Sequence, residues 1–389
     1  MDVARQQRVR IALLSTCALA TPPKRYGGTE LVVAELARGL VELGHHVTVY
    51  ATGDSAAAGH LRHCFATPIW PPDEMAELRH ARFAWQDMAS DPERYDVVHM
   101  HQAAALPGSA AARCPLALTL HHCRVEELVR HYRSHSDVAY VAISQRQADL
   151  SPEIPFARVI HHGLDTTQYE AGTGDGDYDA FLGRFAPEKA PHLAIDAARD
   201  AGVRVVLGGA AHAVPGSIAY FEREMKPRLA DPRNLEWLGE LSHGPKVRLL
   251  ASARALLFPL EWEEPFGLVM IEAMLVGTPV IAFARGSAPE VVEDGVTGFL
   301  VRNAREMSER IRQLDRIDRQ RCRARARERW STARMTREYV DLYEALVHEH
   351  RAAGRRARVV RLAPPRRAAD TSVPLVLPAA ATDGGAESG

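Results

Sequence analysis

Two carboxylates stand out in FPLEWEEPFGLVMIEAMLVGTPVIAF, residues 258 to 283, where an apolar strand, an acidic turn, an apolar helix and a second strand follow closely. Glu264 closes the turn before Pro265-Phe266-Gly267. Glu272 is the only charge between Gly267 and Phe283, in a run that reads as buried, where a lone Glu is costly unless a partner satisfies it. Gly267 lets the backbone approach a ligand at the helix start, where free N–H groups and the helix dipole attract an anion such as phosphate. One carboxylate before that anion site and another about two turns into the helix can grip hydroxyls at both ends of a nucleotide-sugar. A plainer reading stays open from these residues alone: a surface-loop Glu and a Glu capping a neighbouring helix.

Other residues carry compatible chemistry. In Gly183-Arg184-Phe185-Ala186-Pro187-Glu188-Lys189, Arg184 offers a planar fork of donors and Lys189 a compact ammonium, a pair suited to two adjacent phosphates; two exposed loop cations fit the bare pattern equally. Gly27 and Gly28 open onto a helix and can cradle a diphosphate with backbone N–H groups, although the stretch is neither GxGxxG nor a P-loop and a tight turn fits as well. His99, His101, His121 and His122 stand at strand ends, where open α/β sheets place ligands, against the plainer reading of satisfied core or rim histidines. His121-His122-Cys123 does not read as a metal site, because neighbours on a strand point to alternate faces. Asp175-Gly176-Asp177 lies in AGTGDGD, residues 171 to 177, read as a flexible linker, and is taken as turn chemistry with no metal. The five cysteines, Cys17, Cys64, Cys114, Cys123 and Cys322, are scattered without a Cys-x-x-Cys pair, as reduced structural thiols are.

The elements that must position these groups follow from periodicity. From residue 8 to 165, β-rich runs (RVRIALLST, HHVTVYAT, YDVVHMH, PLALTLHH, VAYVAIS, ARVIHHGLD) alternate with helical stretches. A second set begins at Tyr178 (YDAFLGR, VRVVLGG, LEWLGEL, ARALLFPL, TPVIAFA, TGFLV). This is α/β patterning for two Rossmann-like, doubly wound domains, residues 1–170 and 171–333, facing across a cleft of the kind ligands favour. The 389 residues suffice for two cores. Thr29 to Leu43 predicts an amphipathic helix with Leu31, Ala34, Leu36, Leu40 and Leu43 inward. Residues 75 to 95 predict another, with Phe83 and Trp85 packing into a core. The seven arginines between Arg316 and Arg329 read as a solvated helix face. A net charge of -1 with 25% charged residues argues against nucleic acid as a partner. Ile11 to Ala20 resembles a buried first strand rather than a signal peptide, and no stretch nears the roughly 18 apolar residues that span a bilayer, so a cytoplasmic location is predicted. From residue 351 to 389 the Ala/Pro/Arg-rich composition predicts a disordered, dispensable tail, whose basic half is the one candidate for membrane contact.

Glu264 and Glu272 with seven residues between them, EPFG and EAM, followed by GTPVIA and by APEVVEDGVTGFLV (288 to 301), resemble the signature of retaining glycosyltransferases of the GT-B fold, especially family 4, over roughly residues 8 to 348. The resemblance implies a nucleoside-diphosphate-sugar donor (UDP-, GDP- or ADP-sugar), no cofactor or metal, and an acceptor hydroxyl on a small molecule, glycan or lipid, with the first domain on the acceptor side. It implies that His121 lies near the transferred sugar, with His122 as the alternative if the register slips by one. Gly27 and Gly28 would approach the diphosphate, Arg184 and Lys189 neutralise it, Glu264 hold sugar hydroxyls and Glu272 the ribose. Phe266, Gly267, Leu268 and Val269 would contact the donor, and the loop around Leu238, Gly239 and Glu240 would face the nucleobase. Glu290 is assigned either to the ligand region or to helix charge balance. Residues 334 to 350 would cross back onto the first domain. A nucleotide-sugar 2-epimerase of the same architecture and a non-catalytic nucleotide-sugar sensor are the rival readings.

Overall fold

The computed structural model describes residues 8–211, 215–231 and 233–357. The first sheet contains β1 (Arg10–Leu14), β2 (His46–Tyr50), β3 (His60–Arg62), β4 (Val97–Met100), β5 (Leu116–Thr119), β6 (Val138–Ala142) and β7 (Phe156–Val159). Its order is β3-β2-β1-β4-β5-β6-β7 and every pairing is parallel. The second contains β8 (Tyr178–Leu182), β9 (Arg204–Gly208), β10 (Leu235–Trp237), β11 (Leu256–Phe258), β12 (Val280–Phe283) and β13 (Gly298–Val301), in the order β10-β9-β8-β11-β12-β13, again parallel. Central strands such as Val97–Met100 and Val280–Phe283 are buried at every position, as helices on both faces of a parallel sheet require. Strand β3, with the sequence His-Leu-Arg, has no apolar run to announce it and forms only as an edge on β2.

Each sheet reverses its strand order once, between β1 and β4 and between β8 and β11. Chain ends leaving such neighbours diverge to opposite faces and leave a crevice beyond the strand carboxyl ends. The two domains are therefore two doubly wound units.

The long helix Thr332–Ala357 returns to the first domain, where Met335, Tyr339, Val340, Leu342 and Tyr343 join the core formed by Ile11, Leu13, Val33, Leu36 and Val97. It crosses the Gly28–Glu42 helix at Gly39, where any side chain would collide with Thr336. Thr332 Oγ1 also bonds the buried carboxylate of Glu35. The helix runs past residue 350 to Ala357, so the predicted tail starts later than Arg351; its remainder lies outside the described residues.

Three local expectations are corrected. Residues 171–177 are no free linker: Gly172 N, Gly174 N and Gly176 N donate to Val276 O, Ala251 O and Ser252 O, which pins the stretch to the second domain. Its acidic residues are engaged too, Asp177 with Arg204 and Asp175 with Thr173. The arginine run is not simply solvated: Arg319 donates to Ala251 O, Ala253 O and Thr278 Oγ1, and Arg323 to Leu275 O and Tyr169 O. A guanidinium satisfies several helix-end carbonyls at once, which charge patterning cannot reveal. In the Gly28–Glu42 helix Ala34, Leu36 and Leu40 are buried as expected and Val32, Val33 and Ala37 join them, while Leu43, one residue past its end, is exposed.

Candidate active site

The loops after β1, β5, β8 and β11 meet around one cavity of about 1130 Å³ between the domains. Gly27, Gly28, His121, Arg184, Lys189, Glu264, Phe266, Gly267, Leu268, Val269 and Glu272 all line it.

After β11 the acidic turn brings Glu264 inward. Its backbone is held by Ser287 N, which donates to Glu264 O at 2.9 Å, and the Gly286 turn packs so closely that a side chain there would strike the Glu264 backbone. The Glu264 carboxylate, 8% exposed for the residue, pairs with Lys189 Nζ and accepts from Trp262 Nε1 at 2.8 Å. Lys189 also lies 4.8 Å from the Trp262 ring centroid. Gly267 follows with φ 78, a left-handed conformation that turns the chain into the Leu268–Leu275 helix, whose first residues, Leu268 and Val269, line the cavity.

Glu272 is buried in that helix and its partner is Lys246, from the His243–Ser252 helix, with the Tyr169 hydroxyl 3.2 Å away. The plainer reading of both carboxylates as surface and capping groups fails, since each is buried, lines the cavity and is paired with an ammonium. Arg184 bonds Glu188 at 3.2 Å and lies over the Tyr26 ring of the opposite domain, while its Nε is buried without a partner among the described residues. A buried guanidinium N–H without an acceptor is rare and marks a place for one.

From the first domain, Gly27 holds φ 148 and a Cβ there would lie 2.8 Å from Leu19 Cδ1 and 2.9 Å from Glu30 Oε2. Gly28 faces Leu268 of the other domain, 3.5 Å from where its Cβ would be. His121 and His122 both border the cavity, but His122 has both nitrogens committed, to Cys123 O and the Tyr132 hydroxyl at 2.6 Å each. His121 bonds His101 through Nε2 at 2.9 Å, and among the described residues no hydrogen bond engages its Nδ1. Burial lowers the His121 pKa to about 3, so the ring is neutral at working pH.

One assignment fails. Leu238 does not line the cavity and is exposed: its N–H donates to Leu207 O, which extends the sheet edge, and Gly239 at φ 71 then reverses the chain so that Glu240 and Leu241 face inward. Phe266 borders the cavity, yet its ring is buried against His162 and Trp330 at 4.9 and 5.8 Å and its carbonyl accepts from Ser287 Oγ at 2.7 Å. Trp85 packs in the core, its Nε1 donating to Ala105 O, and the half-buried Phe83 packs against that core.

Sequence reasoning missed Lys246, His162, Trp262 and the interdomain ties. Glu290 accepts from Gln145 N and Arg146 N of the first domain at 2.7 Å each and lies 2.9 Å from His161 Nε2. Arg146 in turn forks onto Glu263 at 2.8 and 3.1 Å. For Lys246 no signal existed beyond its place after a strand-end loop.

Two doubly wound domains with a cation- and carboxylate-lined crevice at their facing switch points define a GT-B protein. Residues 26–168 match the model for Glycosyltransferase Family 4 and residues 173–329 the model for glycosyl transferases group 1. The chain thus belongs with the family-4-like glycosyltransferases of GT-B fold. It is 29% identical over 278 residues to the D-inositol 3-phosphate glycosyltransferase of Mycobacterium leprae, an alignment over 59% of this chain and 63% of that protein. The chain therefore spans under two thirds of that relative's length. The enzyme of the same name from Mycolicibacterium smegmatis is 27% identical, over 77% of this chain and 81% of its own. Among solved structures, AviGT4, a glycosyltransferase involved in avilamycin A biosynthesis, superposes with a TM-score of 0.67 at 25% identity, covering 88% of this chain and 98% of that one. Anabaena HepE in complex with UDP-glucose gives 0.68 at 21% identity, covering 87% and 100%, and shares the fold.

Proposed function

We propose that the protein transfers a sugar from a nucleoside-diphosphate donor to an acceptor hydroxyl, with retention at the anomeric carbon and without a metal. The observation that carries this reading is the convergence on one interdomain cavity of Arg184, Lys189, the Gly267 helix start, the Gly27-Gly28 loop and the two buried carboxylates.

Cleavage of the bond between the anomeric carbon and the phosphate oxygen leaves positive charge on the sugar and negative charge on the diphosphate. The Arg184 guanidinium, whose Nε has no partner among the described residues, the Lys189 ammonium and the helix N–H groups absorb that negative charge in this reading, which their shared place on the cavity wall supports. Glu272, held by Lys246 and Tyr169 through Oε1, keeps Oε2 for ribose hydroxyls; Glu264, oriented by Lys189 and Trp262, takes sugar hydroxyls. The acceptor oxygen attacks from the face the diphosphate leaves, and its proton passes to the departing phosphate oxygen. Such a step needs no separate acid and base pair, and Glu264 and Glu272 are each tied to an ammonium. Closure of the domains excludes water and limits donor hydrolysis. HepE's complex with UDP-glucose supports a UDP-sugar as the first donor to try, and the names of the curated relatives support phosphorylated polyols as the first acceptors.

The test is a thermal-shift screen of nucleoside diphosphates and their sugars, followed by product analysis with and without acceptors. A ligand at 100 times its dissociation constant stabilises by about 2.7 kcal/mol, an easily read shift. Transfer should appear only with acceptor. An isomerised donor without acceptor would make the protein an epimerase, and tight donor binding with no turnover on any acceptor would make it a sensor.

A further inference from the structure

Beneath His121 lies a column of buried imidazoles that the mechanism above leaves idle. His101 is 4% exposed, and its Nδ1 lies 2.9 Å from His121 Nε2. Its other nitrogen, Nε2, is buried with no partner among the described residues. The His99 ring packs on His101 at 4.1 Å between centroids and is itself fixed at both nitrogens, by the Tyr343 hydroxyl at 2.7 Å and Thr119 Oγ1 at 2.8 Å. Thr119 Oγ1 also meets the Tyr339 hydroxyl at 2.9 Å. Both tyrosines belong to the crossover helix, so that helix braces the column from behind.

We propose that His101 is a positioning residue that decides which nitrogen of His121 carries the proton, so that His121 presents an Nδ1–H donor to the transferred sugar; this rests on the transferase reading above. A neutral imidazole has one N–H and one bare nitrogen. Leaving a buried N–H without an acceptor is more costly than leaving a lone pair bare. The orphan Nε2 of His101 is therefore the bare nitrogen, and its proton sits on Nδ1, donating to His121 Nε2. That bond makes Nε2 of His121 an acceptor and leaves its only proton on Nδ1, the nitrogen with no protein hydrogen bond among the described residues. Burial holds His101 and His121 well below the usual imidazole pKa, so neither ring gains a second proton at neutral pH and the assignment is not scrambled by titration. On the far side, His162 stacks on the His121 ring at 5.3 Å and keeps it from tilting away. His121 then offers a donor to a sugar oxygen and cannot accept from a hydroxyl through that nitrogen.

The full-length protein with ring-15N histidine decides the point. A long-range 1H–15N correlation, with the His121 signals assigned by their loss in His121→Gln, reads the tautomer directly. We expect Nδ1–H at His121 in the wild type and loss of that pure state in His101→Leu, which keeps bulk but removes the donor. In the transfer assay His101→Leu should lower kcat about tenfold, with the donor KM within about twofold. His101→Asn, whose amide nitrogen occupies the place of Nδ1, should restore both the tautomer and most of kcat. An Nε2–H signal at His121 in the wild type overturns the proposal. So does a folded His101→Leu protein with wild-type kcat, or an Asn variant as impaired as the Leu variant, which would make the role one of packing. If the wild type transfers no sugar to any acceptor, the transferase reading and the catalytic use of the donor fall together, and the spectrum still decides the tautomer by itself.

Discussion

Lys246 and Glu272 give a measurable test of how a buried carboxylate of the cavity is held. The Glu272 side chain is 5% exposed and that of Lys246 16%, and they form an ion pair deep in the second domain. Removing one partner of such a pair strands a buried charge and costs about 3–5 kcal/mol. The Tyr169 hydroxyl stays 3.2 Å from the stranded carboxylate, which puts Lys246→Met at the low end, about 3 kcal/mol. For a domain of this size that is a fall in Tm of about 6–12 °C. Glu272→Gln alone should cost less, about 1 kcal/mol, because the flexible Lys246 stem can carry its ammonium toward water. The double variant loses both charges together and should be far closer to the wild type than the sum of the two singles, giving a coupling energy of about 2–3 kcal/mol. Denaturant unfolding of the four proteins measures the coupling, and calorimetric titration with a nucleoside diphosphate measures its effect on binding. A coupling below about 0.5 kcal/mol would mean a solvent-screened surface pair and refute the buried-brace argument.

Three further outcomes follow from the same geometry. Gly27→Ala, forced into a left-handed conformation with its Cβ 2.8 Å from Leu19 and Pro23, should lose most donor affinity, whereas Gly28→Ala, with 3.5 Å of clearance, should bind donor within a few-fold of wild type; equal effects would sink the loop's assignment. Glu290→Ala removes two 2.7 Å bonds from Gln145 N and Arg146 N, charge-assisted contacts worth about 1.5–3 kcal/mol each, so small-angle scattering should report a larger radius of gyration and kinetics a higher donor KM; an unchanged envelope argues against an interdomain latch. Acidification from pH 6.5 to 4.5 should lower Tm: burial holds His99 and His121 to about 3 and His80 to about 4, with His101 and His162 also lowered, so the unfolded chain takes up protons there that the folded chain does not. Glu77 and Asp179, raised to about 7 by burial, and Glu30 and Glu35, raised by the same cause, act in the opposite sense, because folded they keep protons the unfolded chain releases as pH rises through this window; His45, His122, His131, His192 and His243 are lowered by burial too, so the imidazoles outnumber these carboxyls, and a higher Tm at pH 5 than at pH 6.5 would contradict the balance.

Much of the architecture was legible along the chain. Every strand whose sequence is a continuous apolar run, from Arg10–Leu14 to Gly298–Val301, could be read directly, because burial on both faces leaves no alternation to misinterpret. The edge strand His60–Arg62 was not, since pairing on one side does not demand apolar side chains. Glu272 was legible because it interrupts an apolar run, whereas Gly27, Gly28, Arg184 and Lys189 were ambiguous from their residues alone and were singled out by the family resemblance; all five line the interdomain cavity.

What the sequence by itself determined is the set of groups and their local stations: two parallel sheets, glycines at the turns that open onto helices, a Glu inside an apolar run, cations just past a strand end. Only the tertiary structure decided who meets whom. Lys246 finds Glu272 across two helices, Glu290 reaches into the other domain, Leu238 turns out while Glu240 turns in, and two tyrosines more than 200 residues downstream brace the histidine column. Local propensity is fixed by neighbours within a few residues, whereas these pairings depend on strand order and crossing geometry, which bring distant side chains together only once both sheets are assembled.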